Sequence, residues 1–168
     1  MRKSRNFPER EAARVLRIWG KRSLPVDVLG IAKSANIQVV ADDLDEISGL
    51  LYASDGQVCI FYNESHSEER QRFTIAHELG HFFLHNRGEH ALRAPLLMAR
   101  SGVSSQGVKK EEIEANQFAA ELLMPREFLL EALEDYVYID EDDIDDLARV
   151  FKVSAQAMAI RLGRLDLI

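Results

Sequence analysis

Two histidines and a glutamate are spaced in the chain as the residues of a catalytic zinc site are. His77 and His81 lie four residues apart, and Glu78 follows the first of them. On a helix of 3.6 residues per turn, both imidazoles leave the same face one turn apart, so both can reach one zinc ion. Glu78 lies beside them and can accept a proton from metal-bound water, as the general base of a metallohydrolase does. The pattern predicts a zinc-dependent hydrolase.

The third ligand must come from elsewhere, because a catalytic zinc takes three protein ligands and keeps a fourth position open. His85 continues the four-residue spacing, but it lies two turns, about 12 Å, along the helix from His77, too far to share one tetrahedral ion. The longer metzincin pattern requires glycine at position 84 and histidine at position 87. The chain has Leu84 and Arg87 there, which excludes that class of protease.

A second apolar helix, predicted over about 111–124, is the best remaining source of a ligand. Glu112 and Asn116 share the side of this helix that faces the core. Glu112 is therefore a candidate ligand, and Asn116 is either its neighbour or a hydrogen-bonding partner that supports the ligands. Glu114 competes for the same role and Glu111 is a weaker competitor, because periodicity alone does not separate the three carboxylates.

The helix that carries the histidines is predicted to be long and buried. Ser65 and Glu68 have the spacing of a capping box, which indicates its start, and its periodic pattern runs to about His85. Apolar residues occupy two of its sides. Such a helix packs in the middle of its domain.

A small β-sheet is predicted before this helix. Residues 37–40 form one β-prone run, and residues 49–52 and 58–62 form two more. Asp55 and Gly56 between the last two favour a tight turn, and so a hairpin. We therefore expect an α+β fold of the zincin-like kind, in which a small sheet with a hairpin packs on the buried histidine helix and the C-terminal part is mainly helical.

Further helices are predicted on both sides of these elements. One runs from Pro8 to Gly20 and a second begins near Pro25, whereas the polar residues 100–110 are interpreted as a loop. Two more helices joined by a tight turn are expected near the C-terminus. The zincin-like domain is then assigned to residues 1–130, and residues 131–168 form a small helical tail packed on the same domain.

Two blocks of sequence resemble the ImmA/IrrE family of zinc metallopeptidases. Residues 72–85 read RFTIAHELGHFFLH and residues 112–125 read EIEANQFAAELLMP, and the resemblance extends from about Ile31 into the tail. Family members have a Glu-x-x-x-Asn/Asp element whose glutamate is the third zinc ligand. The resemblance implies that Glu112 and Asn116 fill these two positions.

The resemblance also implies an activity and a substrate. Such proteins, encoded by bacteria, prophages and mobile elements, are site-specific proteases that inactivate a helix-turn-helix transcriptional repressor. The expected mechanism is attack of zinc-bound water on a peptide carbonyl, with Glu78 as the general base. Candidates for stabilising the oxyanion are Tyr136, Tyr138, His85 and His90.

Two rival interpretations stay open. In the first, the chain is a zinc-stabilised binding module that sequesters a repressor without cutting it. In the second, the tail binds DNA as a helix-turn-helix, since residues 147–168 contain four basic residues and one acidic residue. Nine acidic residues within 131–146, beside the tail, oppose a phosphate backbone, so direct nucleic-acid binding is not expected.

Charge and composition restrict the remaining possibilities. The chain has 168 residues, 46% of them hydrophobic, and a formal net charge of −7, which indicates a soluble globular protein that repels nucleic acid and anionic membranes. Nine acidic residues within 131–146 are interpreted as a solvated helix N-terminus, because a calcium loop would need EF-hand spacing and its glycine.

The compartment is inferred from cysteine usage and from apolar segments. Cys59 is the single cysteine, which fits a reducing compartment. The basic residues at the N-terminus are not followed by the apolar stretch of a signal peptide, and no window approaches the roughly 18 apolar residues of a membrane helix. A cytoplasmic location without a membrane partner is expected.

Overall fold

The computed structural model of the chain describes residues 6–54, 56–85 and 106–168, with only the backbone described for residues 106–108. These residues form an α+β fold with a small sheet and a mainly helical C-terminal part, which confirms the predicted fold class. The elements in chain order are α1 (Phe7–Trp19), α2 (Val28–Ser34), β1 (Ile37–Asp42), β2 (Gly49–Ser54), β3 (Gln57–Asn63), α3 (Glu68–His85), α4 (Gln106–Leu123), α5 (Arg126–Ala132), α6 (Glu141–Phe151) and α7 (Ala155–Arg164).

The three strands form one mixed sheet in the order β1-β3-β2. β1 runs parallel to β3, with Ile37 beside Val58, and β2 runs antiparallel to β3, with Ser54 beside Gln57. The predicted hairpin is therefore β2 and β3. Its turn contains Gly56 with φ at 79°, a left-handed conformation that glycine adopts without the steric cost of a Cβ atom. Both β2 and β3 contact α3, so the sheet supports the helix that carries the histidines.

The start of α3 differs from the prediction, and the proposed capping box is wrong. The backbone N–H and the hydroxyl of Ser65 both donate to Oδ1 of Asn63, at 3.0 and 2.7 Å. The hydroxyl oxygen of Ser67 instead accepts from the backbone N–H of Arg70 at 3.4 Å, and Glu68 is the first helical residue. Ser65, which the local pattern assigned to the helix cap, is therefore bonded to Asn63 at the end of β3 instead.

Two further helix starts also differ from the predictions. α2 begins at Val28 rather than near Pro25, because the Asp27 carboxylate accepts from the backbone N–H of Gly30 at 2.8 Å and caps the helix there. α4 begins at Gln106 rather than near residue 111.

The early start of α4 corrects the predicted loop over 100–110. Residues 106–110 are helical, and residues 100–105 lie outside the described residues. Gln106, Lys109 and Lys110 have good helix propensity, but Gly107 and Val108 do not, so propensity alone does not explain why the helix continues beyond the apolar stripe from which it was predicted. The confirmed part of the prediction is the apolar half, which ends at Leu123 before Pro125.

The interface between α3 and α4 forms the centre of the core. Leu79 on α3 and Phe118 and Leu122 on α4 are fully buried there. Gly80 lies at the point of closest approach, because a Cβ atom at this position would be 3.0 Å from Cα and 3.1 Å from the carbonyl oxygen of Ala115. The missing side chain therefore sets the spacing of the two helices.

Replacing Gly80 by alanine should destabilise the protein by about 1–3 kcal/mol, because the new methyl group meets the backbone of α4, which cannot move aside alone. Gly163 on α7 is the matched control, since a Cβ atom there has no neighbour within 4 Å and alanine should stabilise the helix by about 0.5–1 kcal/mol. Urea unfolding of both variants measures the difference. Equal free energies of unfolding for the two variants would contradict the close-approach argument.

The two helices predicted near the C-terminus are α6 and α7. Arg161 of α7 is only 2% exposed and reaches into the core. Its guanidinium group forms ion pairs with Glu121 of α4 and Glu9 of α1, and its Nε donates to the carbonyl oxygen of Met124. Contacts of this helix therefore extend to both α1 and α4. The domain boundary at residue 130 stays a prediction.

The acidic run lies partly in the first turn of α6. The Asp140 side chain accepts from the backbone N–H of Asp143 at 3.0 Å, and the Asp143 side chain accepts from the backbone N–H of Asp140 at 3.1 Å. This is the helix-terminal arrangement in which carboxylates are favoured by the helix dipole.

Within the described residues, no helix is both long and apolar enough to cross a membrane.

Candidate metal centre

The candidate metal centre lies where α3 packs against α4, and it brings together His77, His81 and Glu112. Nε2 of His77 and Nε2 of His81 are 3.1 Å apart. The Glu112 carboxylate of α4 approaches both, with 3.4 Å to Nε2 of His77 and 3.1 Å to Nε2 of His81. Three atoms that each lie about 2.0–2.1 Å from one tetrahedral ion are about 3.4 Å apart. The residues therefore fit a metal ion, and in the described part of the chain they are the one group of three or more possible ligands this close together.

Burial keeps both histidines in the form that binds metals. Desolvation lowers the pKa of His77, and it lowers the pKa of His81 to about 3 with further contributions from His77 and His85. Both imidazoles are therefore neutral near pH 7, each with a lone pair available. Two neutral nitrogens and a carboxylate oxygen converge on one small space, which favours a cation between them.

Asn116 orients the first of the two histidines. Its Oδ1 accepts a hydrogen bond from Nδ1 of His77 at 2.9 Å. Because a carbonyl oxygen only accepts, Nδ1 carries the proton, and Nε2 presents its lone pair towards Glu112. The predicted proximity of Asn116 to the centre is thus seen as a bond to His77.

Glu78 is buried beside this group, with 9% of its surface exposed. Burial, and to a smaller extent the negative charge of Glu112, raises the pKa of Glu78 to about 7. A carboxyl group that titrates near neutral pH can both take up and release a proton there. This is the property that the sequence pattern required of a general base.

The structure separates the three carboxylates that periodicity left open. Glu114 turns away from the histidine pair and contacts Nε2 of His85 at 3.0 Å and the amino group of Lys110 at 3.6 Å. Glu111 is not part of the group of possible ligands, whereas Glu112 is. The geometry therefore favours Glu112 as the third ligand.

The oxyanion candidates are distributed over different parts of the fold. Tyr136 and Tyr138 lie exposed on the segment between α5 and α6. His85 is held by Glu114, and His90 lies outside the described residues. The oxyanion role stays a prediction for all four.

The contact between Glu114 and His85 was not predicted. Its one sequence signal is that His81 and His85 are four residues apart on one helix face, while Glu114 lies two residues after the favoured ligand. The pairing joins residues 29 positions apart in the chain, so no local pattern specifies it.

The chain is similar to proteins of one known family. The pattern of the IrrE N-terminal-like domain, peptidase family M78, matches residues 32–163. The metallopeptidase ImmA of Bacillus subtilis (strain 168) is 33% identical over 144 residues, which cover 83% of this chain and 76% of that protein. Immunity region protein 2 of Bacillus phage phi105 is 35% identical over 96 residues, which cover 56% of each chain.

A solved structure has a similar fold. The chain superimposes on a transcriptional regulator of Mycobacterium tuberculosis with a TM-score of 0.67 and 22% sequence identity. The match covers 93% of this chain but only 46% of the regulator, so the chain spans less than half the length of that protein. At this identity the likeness concerns the fold alone. With the family pattern matched over most of its length and ImmA similar over 83% of it, the chain belongs to the IrrE N-terminal-like domain family of metallopeptidases.

Proposed function

We propose that the protein is a zinc-dependent endopeptidase that cuts a helix-turn-helix transcriptional repressor at a specific site. The observation that carries the proposal is the convergence of His77, His81 and Glu112 at distances of 3.1–3.4 Å. Glu78, a buried carboxyl group with a pKa of about 7, lies beside the two histidines on α3. Two imidazoles and one carboxylate form the ligand set of many zinc peptidases.

The chain's own residues supply the proton transfers. A bound zinc ion would supply Lewis acidity that polarises a peptide carbonyl and makes water a better nucleophile near pH 7. Glu78 accepts the proton of the attacking water and then donates it to the amine that leaves. The neutral histidines and Asn116 hold the ligand atoms in place while this exchange occurs.

The substrate chain is proposed to bind along β2. Among the described strands β2 lies at an edge of the sheet, and it packs against α3. Gly49 permits this packing, because a Cβ atom there would be 2.3 Å from Cγ2 of Thr74 on α3. An extended peptide can add to such an edge through main-chain hydrogen bonds. This mode brings a peptide bond close to the helix that carries Glu78.

Charge and the names of the relatives support a repressor as the substrate. The relatives are a metallopeptidase and a protein named for a phage immunity region. The net charge of −7 favours encounter with a basic DNA-binding protein and disfavours DNA itself. A protein substrate and no direct nucleic-acid contact follow from the proposal, as does activity in the cytoplasm, where such repressors act.

Elemental analysis and a cleavage assay test the proposal together. Zinc-loaded protein should contain about one zinc ion per chain and cut a purified repressor encoded beside its gene at one peptide bond, as seen by intact-mass spectrometry. Chelation should stop cleavage, and added zinc should restore it. A zinc-free protein that still cuts, or a zinc-loaded one that cuts none of the neighbouring repressors, would contradict the proposal.

Glu112→Gln should weaken zinc binding about 100-fold, because the substitution removes the anionic oxygen that faces both histidines. Glu111→Gln is the matched control, since it makes the same chemical change one residue away and should leave zinc affinity unchanged. Competition with a chromophoric chelator measures both dissociation constants. Equal zinc affinities for the two variants would show that Glu112 is not a zinc ligand.

A further inference from the structure

A line of three side chains leads away from the candidate metal centre behind His81. Nδ1 of His81 lies 3.3 Å from Nδ1 of His85, and Nε2 of His85 lies 3.0 Å from an oxygen of Glu114. All three side chains are mostly buried. The line begins at Nδ1 of His81, whereas Nε2 of the same ring faces Glu112.

With His85 in its neutral form, donor and acceptor chemistry gives the direction of each hydrogen bond in the line. The Glu114 carboxylate only accepts, so Nε2 of His85 carries a proton and donates it. A neutral His85 then has a lone pair on Nδ1, and it accepts from Nδ1 of His81. His81 therefore has its proton on Nδ1, and its Nε2 is left as a lone pair facing Glu112.

We propose that His85 and Glu114 are positioning residues that select the metal-binding tautomer of His81 and hold its ring in place. The inference rests on the proposed zinc site, in which Nε2 of His81 is a ligand atom. It gives Glu114 a role other than ligation.

The two histidines of the centre then have partners of different kinds. His77 donates to the neutral amide of Asn116, whereas His81 donates into a line that ends on an anion. A carboxylate at the end of such a line raises the basicity of the ligating nitrogen, and loss of partners of this kind typically weakens metal binding about 10–100-fold.

Two substitutions of His85 separate positioning from packing. Asparagine places a carbonyl oxygen near the position of Nδ1 and can still accept from His81, whereas leucine keeps the bulk and removes the acceptor. We expect His85→Leu to weaken zinc binding about 10–100-fold, and we expect His85→Asn to recover most of the loss. Zinc dissociation constants come from competition with a chromophoric chelator.

The second bond of the line is tested in the same way. Glu114→Gln removes the negative charge but keeps an oxygen acceptor, so we expect a weakening of about threefold to tenfold. Glu111→Gln makes the same change outside the line and should have no effect. The visible spectrum of the cobalt-substituted protein gives a second signature, because a reoriented His81 alters the ligand field in His85→Leu and not in Glu111→Gln.

Each outcome is decisive when thermal unfolding of the chelated proteins is measured alongside. Weaker zinc binding by His85→Leu, with recovery in His85→Asn and similar unfolding temperatures, supports the positioning role. Wild-type affinity in His85→Leu overturns it, as does an equal loss in both variants that follows their loss of stability. Failure of the wild-type chain to bind zinc would instead overturn the proposed metal site, and the positioning role with it.

Discussion

Replacing Glu78 by glutamine should lower the rate of repressor cleavage by about 10³ while zinc stays bound. Glutamine matches glutamate in shape but cannot accept the proton of the attacking water, so the barrier should rise by about 4 kcal/mol. The three proposed ligands His77, His81 and Glu112 are unchanged, and zinc content should equal that of the wild type. Single-turnover cleavage followed by mass spectrometry, with zinc measured on the same samples, checks both expectations.

The same variant offers an independent check on the environment of Glu78. Its folded pKa of about 7 lies above the ordinary value of 4.5, so the folded chain binds this proton more tightly than the unfolded chain does. The corresponding stabilisation is complete below pH 4.5 and is lost as the pH rises through 7. In chelated protein, Glu78→Gln should therefore be more stable than wild type by up to about 3 kcal/mol at pH 8, with little difference at pH 4.5.

Two results would count against the role of Glu78. Cleavage by the glutamine variant at the wild-type rate would remove it as the general base. Relief of repression without any cleavage, unchanged in the variant, would instead support the rival interpretation in which the chain sequesters the repressor. Unchanged stability at pH 8 would show that the carboxyl group is better solvated than its burial indicates.

Replacing Arg161 by alanine should destabilise the protein by about 3–5 kcal/mol and lower its unfolding temperature by about 10 °C. Arg161 and Glu121 are 2% and 1% exposed, so the substitution removes a buried positive charge that pairs with the Glu121 carboxylate. It also removes the bonds to Glu9 and to the carbonyl oxygen of Met124, which connect α7 to α1 and to the end of α4. Chemical and thermal unfolding of the zinc-loaded protein measure the effect.

A double variant distinguishes a buried charge from a lost contact. Arg161→Met combined with Glu121→Leu removes both charges and keeps apolar bulk, and such replacements are often neutral or stabilising. We expect it to recover most of the stability lost in Arg161→Ala. A double variant as unstable as the single one would mean that the remaining bonds of Arg161, rather than the pairing of charges, hold α7 in place.

The sequence was most informative where a function depends on residues close together in the chain. The four-residue spacing of His77 and His81 suffices to place both rings on one side of α3, because helix geometry alone determines it. The apolar stripe of α4 predicted its buried side, which contains Ala115, Phe118 and Leu122. Glu112 and Asn116 were expected on that side, but the Glu112 side chain is 44% exposed and Asn116 is exposed, so both lie beside the core rather than in it.

Helix starts were predicted less well because several nearby side chains can compete for the same capping role. Ser65 has the right spacing to cap α3, but its backbone N–H and its hydroxyl both donate to Oδ1 of Asn63. The choice between Glu112 and Glu114 is also decided by tertiary structure, since His85 takes the second of them. Arg161 and Glu9 are 152 residues apart, and sequence periodicity cannot predict a pair so distant in the chain.

The division of the ligands between two helices has a further consequence. His81 and Glu112 are 31 positions apart, so an ion held by both closes a large loop, as a disulfide does, and this constrains the unfolded chain by about 3–4 kcal/mol in the chain-entropy view. Unlike a disulfide, this cross-link is reversible and obeys mass action. If the proposed zinc site is correct, the lifetime of the folded protein depends on the free zinc concentration, and a chain that has lost its ion is expected to be both inactive and easier for proteases to degrade.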